Sequence, residues 1–93
     1  MDKYEILYII RSAVDDDQKN KVVEKFEALV GTLGGTVESV DKWGTKKFAY
    51  EIDKQSDGYY VLMNVVCTSD AQIEIDRQMR NDEAIIRQMI IKK

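Results

Sequence analysis

Apolar and polar residues follow two different periods along this chain. Residues 4–10 and 59–67 are apolar or aromatic at nearly every position, which is typical of strands buried on both faces and predicts two central strands. Residues 48–52 alternate between apolar and polar, which predicts a half-buried strand. An earlier part of the same strand begins at Thr36, and the spacing around Trp43-Gly44 predicts a β-bulge. Residues 84–91, rich in Ile, predict a fourth strand.

Two segments carry the period of an amphipathic helix. Asp15 and Gln18 predict the capped start of the first helix, and Gly34-Gly35 predicts its end. Ser69 and Gln72 predict a second capping box. The polar segment 54–58, which contains Asp-Gly, predicts a hairpin turn. The apolar residues at helical spacing are Val22, Val23, Phe26, Leu29, Val30 and Leu33 in the first helix and Ala71, Ile75 and Met79 in the second.

The resulting order, β-α-β-β-α-β, predicts an α+β fold of the ferredoxin-like sandwich type. In this fold a four-stranded antiparallel sheet carries both helices on one face. Right-handed crossovers place the first and third strands in the centre. Ninety-three residues form one domain, spanning 1–93. The second face of the sheet has no helix to cover its apolar residues, so we expect a partner there.

Composition narrows the class of protein. The apolar fraction of 44% is typical of a folded domain, and no apolar run approaches the roughly 20 residues that span a bilayer. We therefore expect no membrane association and a cytoplasmic location. The single Cys67 lies in an apolar segment and is interpreted as a buried small side chain. The net charge of −3 argues against strong RNA binding by the chain alone, but it allows binding through a local cationic patch or with a basic partner.

The chain lacks the residues that most enzymes use. There is no His, which removes the commonest general base and metal ligand. Asp15, Asp16 and Asp17 are consecutive, so they cannot converge on one cation, and we interpret them as a helix start. The Gly-containing segment 31–35 ends a helix instead of beginning one, so it is not a phosphate-binding loop. We expect no catalysis, no metal, no cofactor and no small-molecule substrate.

Several short motifs occur in a characteristic order along the chain. They are Tyr4-Glu5 and Ile9-Ile10-Arg11, Trp43-Gly44 and Lys46-Lys47-Phe48-Ala49-Tyr50, Gly58-Tyr59-Tyr60, and Ile75-Asp76-Arg77-Gln78-Met79-Arg80-Asn81-Asp82-Glu83 with Ile86-Arg87. In this order they resemble the bacterial small-subunit ribosomal protein S6 family over essentially the whole chain. The resemblance implies the same ferredoxin-like fold. It also implies binding to the central domain of small-subunit ribosomal RNA, together with the basic ribosomal protein S18 as heterodimer partner.

Cationic and aromatic residues are the candidates for RNA or partner contact, because cations meet phosphates and rings stack on bases. Lys46 and Lys47 match the family's basic pair after Trp-Gly, and we expect the bulge to direct both outward. Trp43 is either a core residue at the bulge or part of the binding surface. Arg80 has the alternative of pairing with Asp76 or Glu83 on its own helix. The full set of candidates is Lys3, Tyr4, Trp43, Lys46, Lys47, Arg80, Arg87, Lys92 and Lys93.

Two other classes share this element order. An RNA-recognition-motif domain would bind single-stranded RNA, and residues 58–63 faintly resemble its third-strand motif. However, Asp57 stands where that motif has a basic residue, and Met63 stands where it has an aromatic. A regulatory ferredoxin-like domain would bind a small molecule and dimerise through its sheet. No ligand-binding constellation for that role is visible in the loops.

Overall fold

The strands form one antiparallel sheet in the order β2-β3-β1-β4. A computed structural model describes the backbone of residues 1–52 and 55–93, and within these the side chains outside 48–56. The elements are β1 (Asp2–Arg11), α1 (Asp16–Thr32), β2 (Thr36–Ile52), β3 (Gln55–Cys67), α2 (Ser69–Arg80) and β4 (Ile85–Lys92). The predicted ferredoxin-like order is confirmed, with β1 and β3 at the centre of the sheet.

One face of the sheet packs against both helices. Alternate residues of the central strands, such as Ile6 and Met63, are fully buried in a cluster that also contains Phe26 of α1 and Ile75 of α2. Successive strand residues point to opposite faces. The intervening residues of β1 and β3 therefore form the other face, which no helix in the described part of the chain covers and which we call the open face. Cys67 is buried in the core, as predicted, and burial raises the pKa of its thiol.

The predicted N-cap residue is correct for α1 but not for α2. Asp15 caps α1, because its Oδ1 accepts a hydrogen bond from the Gln18 amide at 2.8 Å. The prediction that Ser69 caps α2 is wrong. Thr68 is still extended, with ψ of 162°, and its Oγ1 accepts from the Ala71 amide at 3.1 Å. Since Ser69 is already the first helical residue, the cap belongs to the residue before it.

The end of α1 comes very close to strand β3. Gly34 has φ of +83°, and its amide donates to the Gly31 carbonyl at 3.0 Å, while the Gly35 amide donates to Val30 at 2.8 Å. This pair of bonds is the Schellman motif. A Cβ on Gly35 would lie 2.8 Å from the Val66 carbonyl oxygen. The absence of a side chain at Gly35 therefore allows the helix end to approach the sheet.

The hairpin turn predicted at 54–58 is wrong for residues 55–58, which are part of β3. The remaining residue, Lys54, lies outside the described part of the chain. Asp57 pairs with Lys47, and Gly58 pairs with Lys46 on one side and Arg11 on the other. The Ser12 hydroxyl donates to Asp57 Oδ1 at 2.7 Å. These contacts from β1 and β2 keep the Asp-Gly pair extended, against its local preference for a turn.

Two kinds of feature are absent from the described residues. Over 1–52 and 55–93, no helix is both long and apolar enough to cross a membrane. In the same residues, no group of three or more acidic or Cys side chains is placed to hold a metal ion.

Candidate nucleic-acid and partner interface

Cross-strand pairing arranges the open face in three rows. Because residues paired across antiparallel strands lie on the same face, the register of β3, β1 and β4 fixes which side chains are neighbours. The first row is aromatic and cationic, the second is apolar and the third is mostly polar. In the order β3, β1, β4, the rows are Tyr60, Ile9 and Arg87; then Leu62, Leu7 and Met89; then Asn64, Glu5 and Ile91.

A bulge in β2 completes the first row. The register shifts between Lys42 and Gly44, and Gly44 has φ of +86°, so the predicted bulge is confirmed. Trp43 then stacks on Tyr60, with ring centroids 6.3 Å apart and ring planes 9° apart. Lys46 Nζ lies 5.1 Å from the centroid of the Trp43 ring. We call Trp43, Tyr60 and Lys46 the aromatic–cation cluster. Trp43 is 45% exposed, so it is a surface residue and not a core residue.

The two lysines after the bulge lie on opposite faces of the sheet. The pairing from Gly44 to Lys47 is regular, with Lys46 opposite Gly58 and Lys47 opposite Asp57. Lys46 therefore shares the open face with Tyr60, whereas Lys47 lies on the face of the helices. Both side chains are exposed, as expected, but only Lys46 joins the aromatic–cation cluster.

Apolar side chains form a continuous stripe next to this cluster. Met89 is 48% exposed and Ile91 is 52% exposed, and both belong to the edge strand β4. Leu7 and Leu62 lie beside Met89 in the same row and are half-buried. We call these four residues the apolar stripe. An exposed apolar surface of this kind marks a contact site for another molecule more often than a free surface.

Two further lysines, Lys3 and Lys93, lie at the end of the open face opposite to Lys46 and Arg87. Lys93 Nζ donates to Asn64 Oδ1 at 2.7 Å, and Lys3 Nζ lies 3.8 Å from Glu38 Oε2. Both lysines are exposed, so their pairing with neighbours leaves their charge accessible to solvent. The apolar stripe thus lies between Lys46 and Arg87 at one end and Lys3 and Lys93 at the other.

Besides Lys47, three further predicted site residues do not join the open face. Tyr4 is 5% exposed and belongs to the core, so its side chain presents almost no surface to RNA or a partner. Its aromatic character reflects packing under the helices. Arg80 lies on α2 and pairs with Asp76 at 2.7 Å, the alternative considered from the sequence. Lys92 pairs across the sheet with Tyr4, on the helix face, and its Nζ lies 3.5 Å from Asp2 Oδ2.

Several open-face residues were missing from the sequence prediction. Arg11 pairs with Gly58 beside Lys46, and its Nε donates to the Glu83 carbonyl at 2.7 Å. The sequence of β1 could have indicated this position of Arg11, because every second residue of a strand lies on the same face, and Arg11 follows Leu7 and Ile9 at that spacing. Alternation alone does not decide which of the adjacent Tyr59 and Tyr60 faces the core. Only the register shows that Tyr60, and not Tyr59, lies on the open face.

Comparisons with known proteins agree with this architecture. A family model described as ribosomal protein S6 matches residues 3–92. Small ribosomal subunit protein bS6 of Alkaliphilus metalliredigens is 46% identical over 92 residues, covering 99% of this chain and 97% of the relative. The bS6 protein of an Exiguobacterium species is 44% identical with the same coverage. The crystal structure of 30S ribosomal protein S6 from Thermotoga maritima superposes with a TM-score of 0.94 at 27% identity, covering 99% of this chain and 87% of that one.

Proposed function

The chain belongs to the ribosomal protein S6 family of the small subunit, and from that premise we propose that it binds the central domain of small-subunit ribosomal RNA jointly with the basic ribosomal protein S18. The family is structural and has no catalytic activity, so the chain acts through its surfaces. In this proposal it works on cytoplasmic ribosomes, and S18 and the chain form a heterodimer on the RNA.

The observation that carries the proposal is the apolar stripe with cations at both of its ends. A stripe that contains Met89 and Ile91, each about half exposed, gains free energy when a partner covers it, at roughly 25 cal/mol for each Å² buried. A protein partner supplies apolar side chains for this contact, whereas an RNA backbone does not. We therefore assign the stripe to S18.

Charge favours a joint complex over binding by this chain alone. The net charge of −3 repels the phosphate backbone at long range, so the chain needs a basic partner to approach RNA closely. Lys46, Arg87, Lys3 and Lys93 supply local cations at the two ends of the open face. In the proposed complex, these residues contact phosphates at the edges of the heterodimer interface.

The aromatic–cation cluster favours this arrangement over the RNA-recognition-motif alternative. That motif binds single-stranded RNA by stacking bases on the aromatic residues of its open sheet. Here the one open-face aromatic of β3, Tyr60, already stacks on Trp43, and β1 presents Glu5, Leu7 and Ile9 instead of aromatics. The Trp43 ring is stacked on Tyr60 and has the Lys46 ammonium 5.1 Å from its centroid, so the cluster does not present a row of free rings to successive bases.

The test is a binding titration with a central-domain ribosomal RNA fragment, with this chain and S18 added separately and together. We expect weak binding by this chain alone and tight binding when both proteins are present. Tight binding of this chain alone to any short single-stranded RNA would contradict the joint complex and support the recognition-motif alternative.

Two matched pairs of variants separate the protein contact from the RNA contact. Met89→Glu should weaken heterodimer formation about tenfold or more, because it places a charge in the apolar stripe. Its control is Ile73→Glu, which changes a 61% exposed residue on α2, away from the open face. Lys46→Ala should lower the slope of log affinity against log salt by about one, as expected for the loss of one phosphate contact. Its control is Lys47→Ala, and equal slopes for the two lysine variants would remove Lys46 from the site.

A further inference from the structure

A cavity lies on the helix side of the sheet, away from the open face. It is a cleft of about 350 Å³ between the first turns of α1 and strand β3, lined by Asp16, Lys19, Asn20 and Tyr59. Small-molecule sites occupy roughly 300–1,000 Å³, so the cleft is large enough for a small ligand or for one side chain of a partner. We call it the α1–β3 cleft.

Lys19 is an unusual residue to find in such a place. It is only 8% exposed, although lysine is almost never buried without a partner. Its Nζ lies 5.2 Å from the centroid of the Tyr59 ring and 3.7 Å from Asp16 Oδ1. The second distance is too long for a hydrogen bond, and within the described residues the ammonium makes no other polar contact. The ammonium is still reached by solvent, so water meets its N–H donors until a ligand in the cleft replaces that water.

Asn20 adds a further donor to the same cleft. Lys42 Nζ of β2 donates to Asn20 Oδ1 at 3.0 Å, which fixes the orientation of the side-chain amide. The amide oxygen is thus engaged, and the Asn20 Nδ2 group remains to donate. With the Lys19 ammonium, the cleft offers hydrogen-bond donors and positive charge, which together suit an oxyanion.

The position of the Asp16 carboxylate indicates which kind of oxyanion the cleft can bind. Its side chain is 96% exposed, so packing does not hold it, yet its carboxylate lies at ion-pair distance from Lys19. It therefore occupies the position that a carboxylate from another molecule would take. Asp15 and Asp17 are also exposed on the same turn, and their charges oppose a multiply charged anion more strongly than a singly charged one. The setting favours one carboxylate over a phosphate.

We propose that the α1–β3 cleft binds a single carboxylate group, which displaces Asp16 from Lys19 and accepts hydrogen bonds from Lys19 and Asn20. The carboxylate comes either from a small free acid or from an Asp or Glu side chain of a protein. This site is separate from the open face and does not depend on the function proposed for it.

The test is a titration of the isotope-labelled full chain, followed by NMR chemical shifts at constant ionic strength. The probes are sodium acetate, a blocked Gly-Glu-Gly peptide, sodium phosphate and sodium chloride. We expect saturable shifts of Lys19, Asn20 and Tyr59 with acetate, with the peptide or with both. Saturation by acetate alone identifies a free acid as the source, and saturation by the peptide identifies a protein side chain. Shifts that do not saturate with either carboxylate, or tighter binding of phosphate, would overturn the proposal.

Variants make the test specific. Lys19→Met should weaken carboxylate binding about tenfold or more, and Asn20→Ala should weaken it about threefold without disturbing the core. Asp16→Asn removes the competing carboxylate and should tighten binding about threefold. Asp17→Asn removes the same charge from the same turn outside the cleft and serves as its control. An equal effect of Asp16→Asn and Asp17→Asn, or unchanged binding by Asn20→Ala, would contradict the proposed site.

Discussion

The approach of α1 to the sheet at Gly35 allows a quantitative test of the packing. In the variant Gly35→Ala, the added Cβ would lie 2.8 Å from the Val66 carbonyl oxygen, 2.9 Å from Cys67 Cβ and 3.0 Å from Val30 Cγ1. All three neighbours belong to the backbone or to well-packed side chains, so none can swing away. The helix end must therefore move away from the sheet to make room for the methyl group.

The expected magnitude follows from the size of this clash. Inserting a methyl group into a packed region typically costs about 1–3 kcal/mol, and contacts below 3.0 Å with three neighbours place this variant at about 2–3 kcal/mol. Gly31→Ala is the matched control, because Gly31 lies in the same helix and a Cβ there meets nothing within 4 Å. It should stabilise the protein by about 0.5–1 kcal/mol, since Ala is a better helix former than Gly.

Urea unfolding measures both variants. Far-UV circular dichroism and the fluorescence of the single Trp43 report on the whole fold and on the open face. In a domain of this size, 1 kcal/mol corresponds to roughly 4–8 °C in Tm, so we expect Gly35→Ala to melt about 8–24 °C lower. Substitutions at unconstrained surface positions usually change the free energy of unfolding by less than about 0.5 kcal/mol. A Gly35→Ala variant within that range of the wild type would refute this account of the helix end. Equal losses of stability in both variants would also refute it.

Two further predictions concern buried polar groups. Tyr8 is fully buried, and among the described side chains its hydroxyl has no hydrogen-bond partner, so Tyr8→Phe should stabilise the protein by about 1 kcal/mol in urea unfolding. Burial, and then the charges of Glu27 and Tyr59, raise the pKa of Tyr8 above the ordinary 10.0. Above pH 10 the unfolded chain therefore loses the Tyr8 hydroxyl proton while the folded chain keeps it. The free energy of unfolding of the wild type should then fall with rising pH more steeply than that of Tyr8→Phe. Parallel pH profiles of the two proteins would contradict this. Asp82 is 13% exposed and accepts from Lys25 Nζ at 2.8 Å, so Asp82→Ala should cost about 1–2 kcal/mol by thermal unfolding, and Lys25→Ala, which removes an exposed partner, should cost less.

Most of the fold could be predicted from the sequence because its local signals agree with one another. The apolar character of residues 4–10 and 59–67 identified the central strands, and Asp15 with Gln18 identified the start of α1. Gly34-Gly35 marked the end of α1, because its Schellman motif requires a positive φ at Gly34. In each case the preference of the local sequence and the final structure coincide.

The errors arise where contacts between distant residues decide the outcome. Asp57-Gly58 prefers a turn locally, but Ser12 and Arg11 from β1 hold it in a strand. Tyr4 and Lys3 are neighbours in sequence, yet alternation places Tyr4 in the core and Lys3 on the open face. The α1–β3 cleft was not predicted at all, because Lys19 and Tyr59 come together only when α1 packs on the sheet.

The central position of β1 has a consequence for the order in which the protein can fold during its own synthesis. β1 pairs with β3 on one side and β4 on the other, for example Ile6 with Met63 and with Ile90. A ribosome that has made β1 and α1 has therefore produced a strand with neither of its neighbours. Its buried side chains have no sheet to join until β3 emerges, and its second edge stays open until β4 emerges. We expect the nascent chain to remain incompletely folded until residues 85–92 have left the ribosome and completed the sheet.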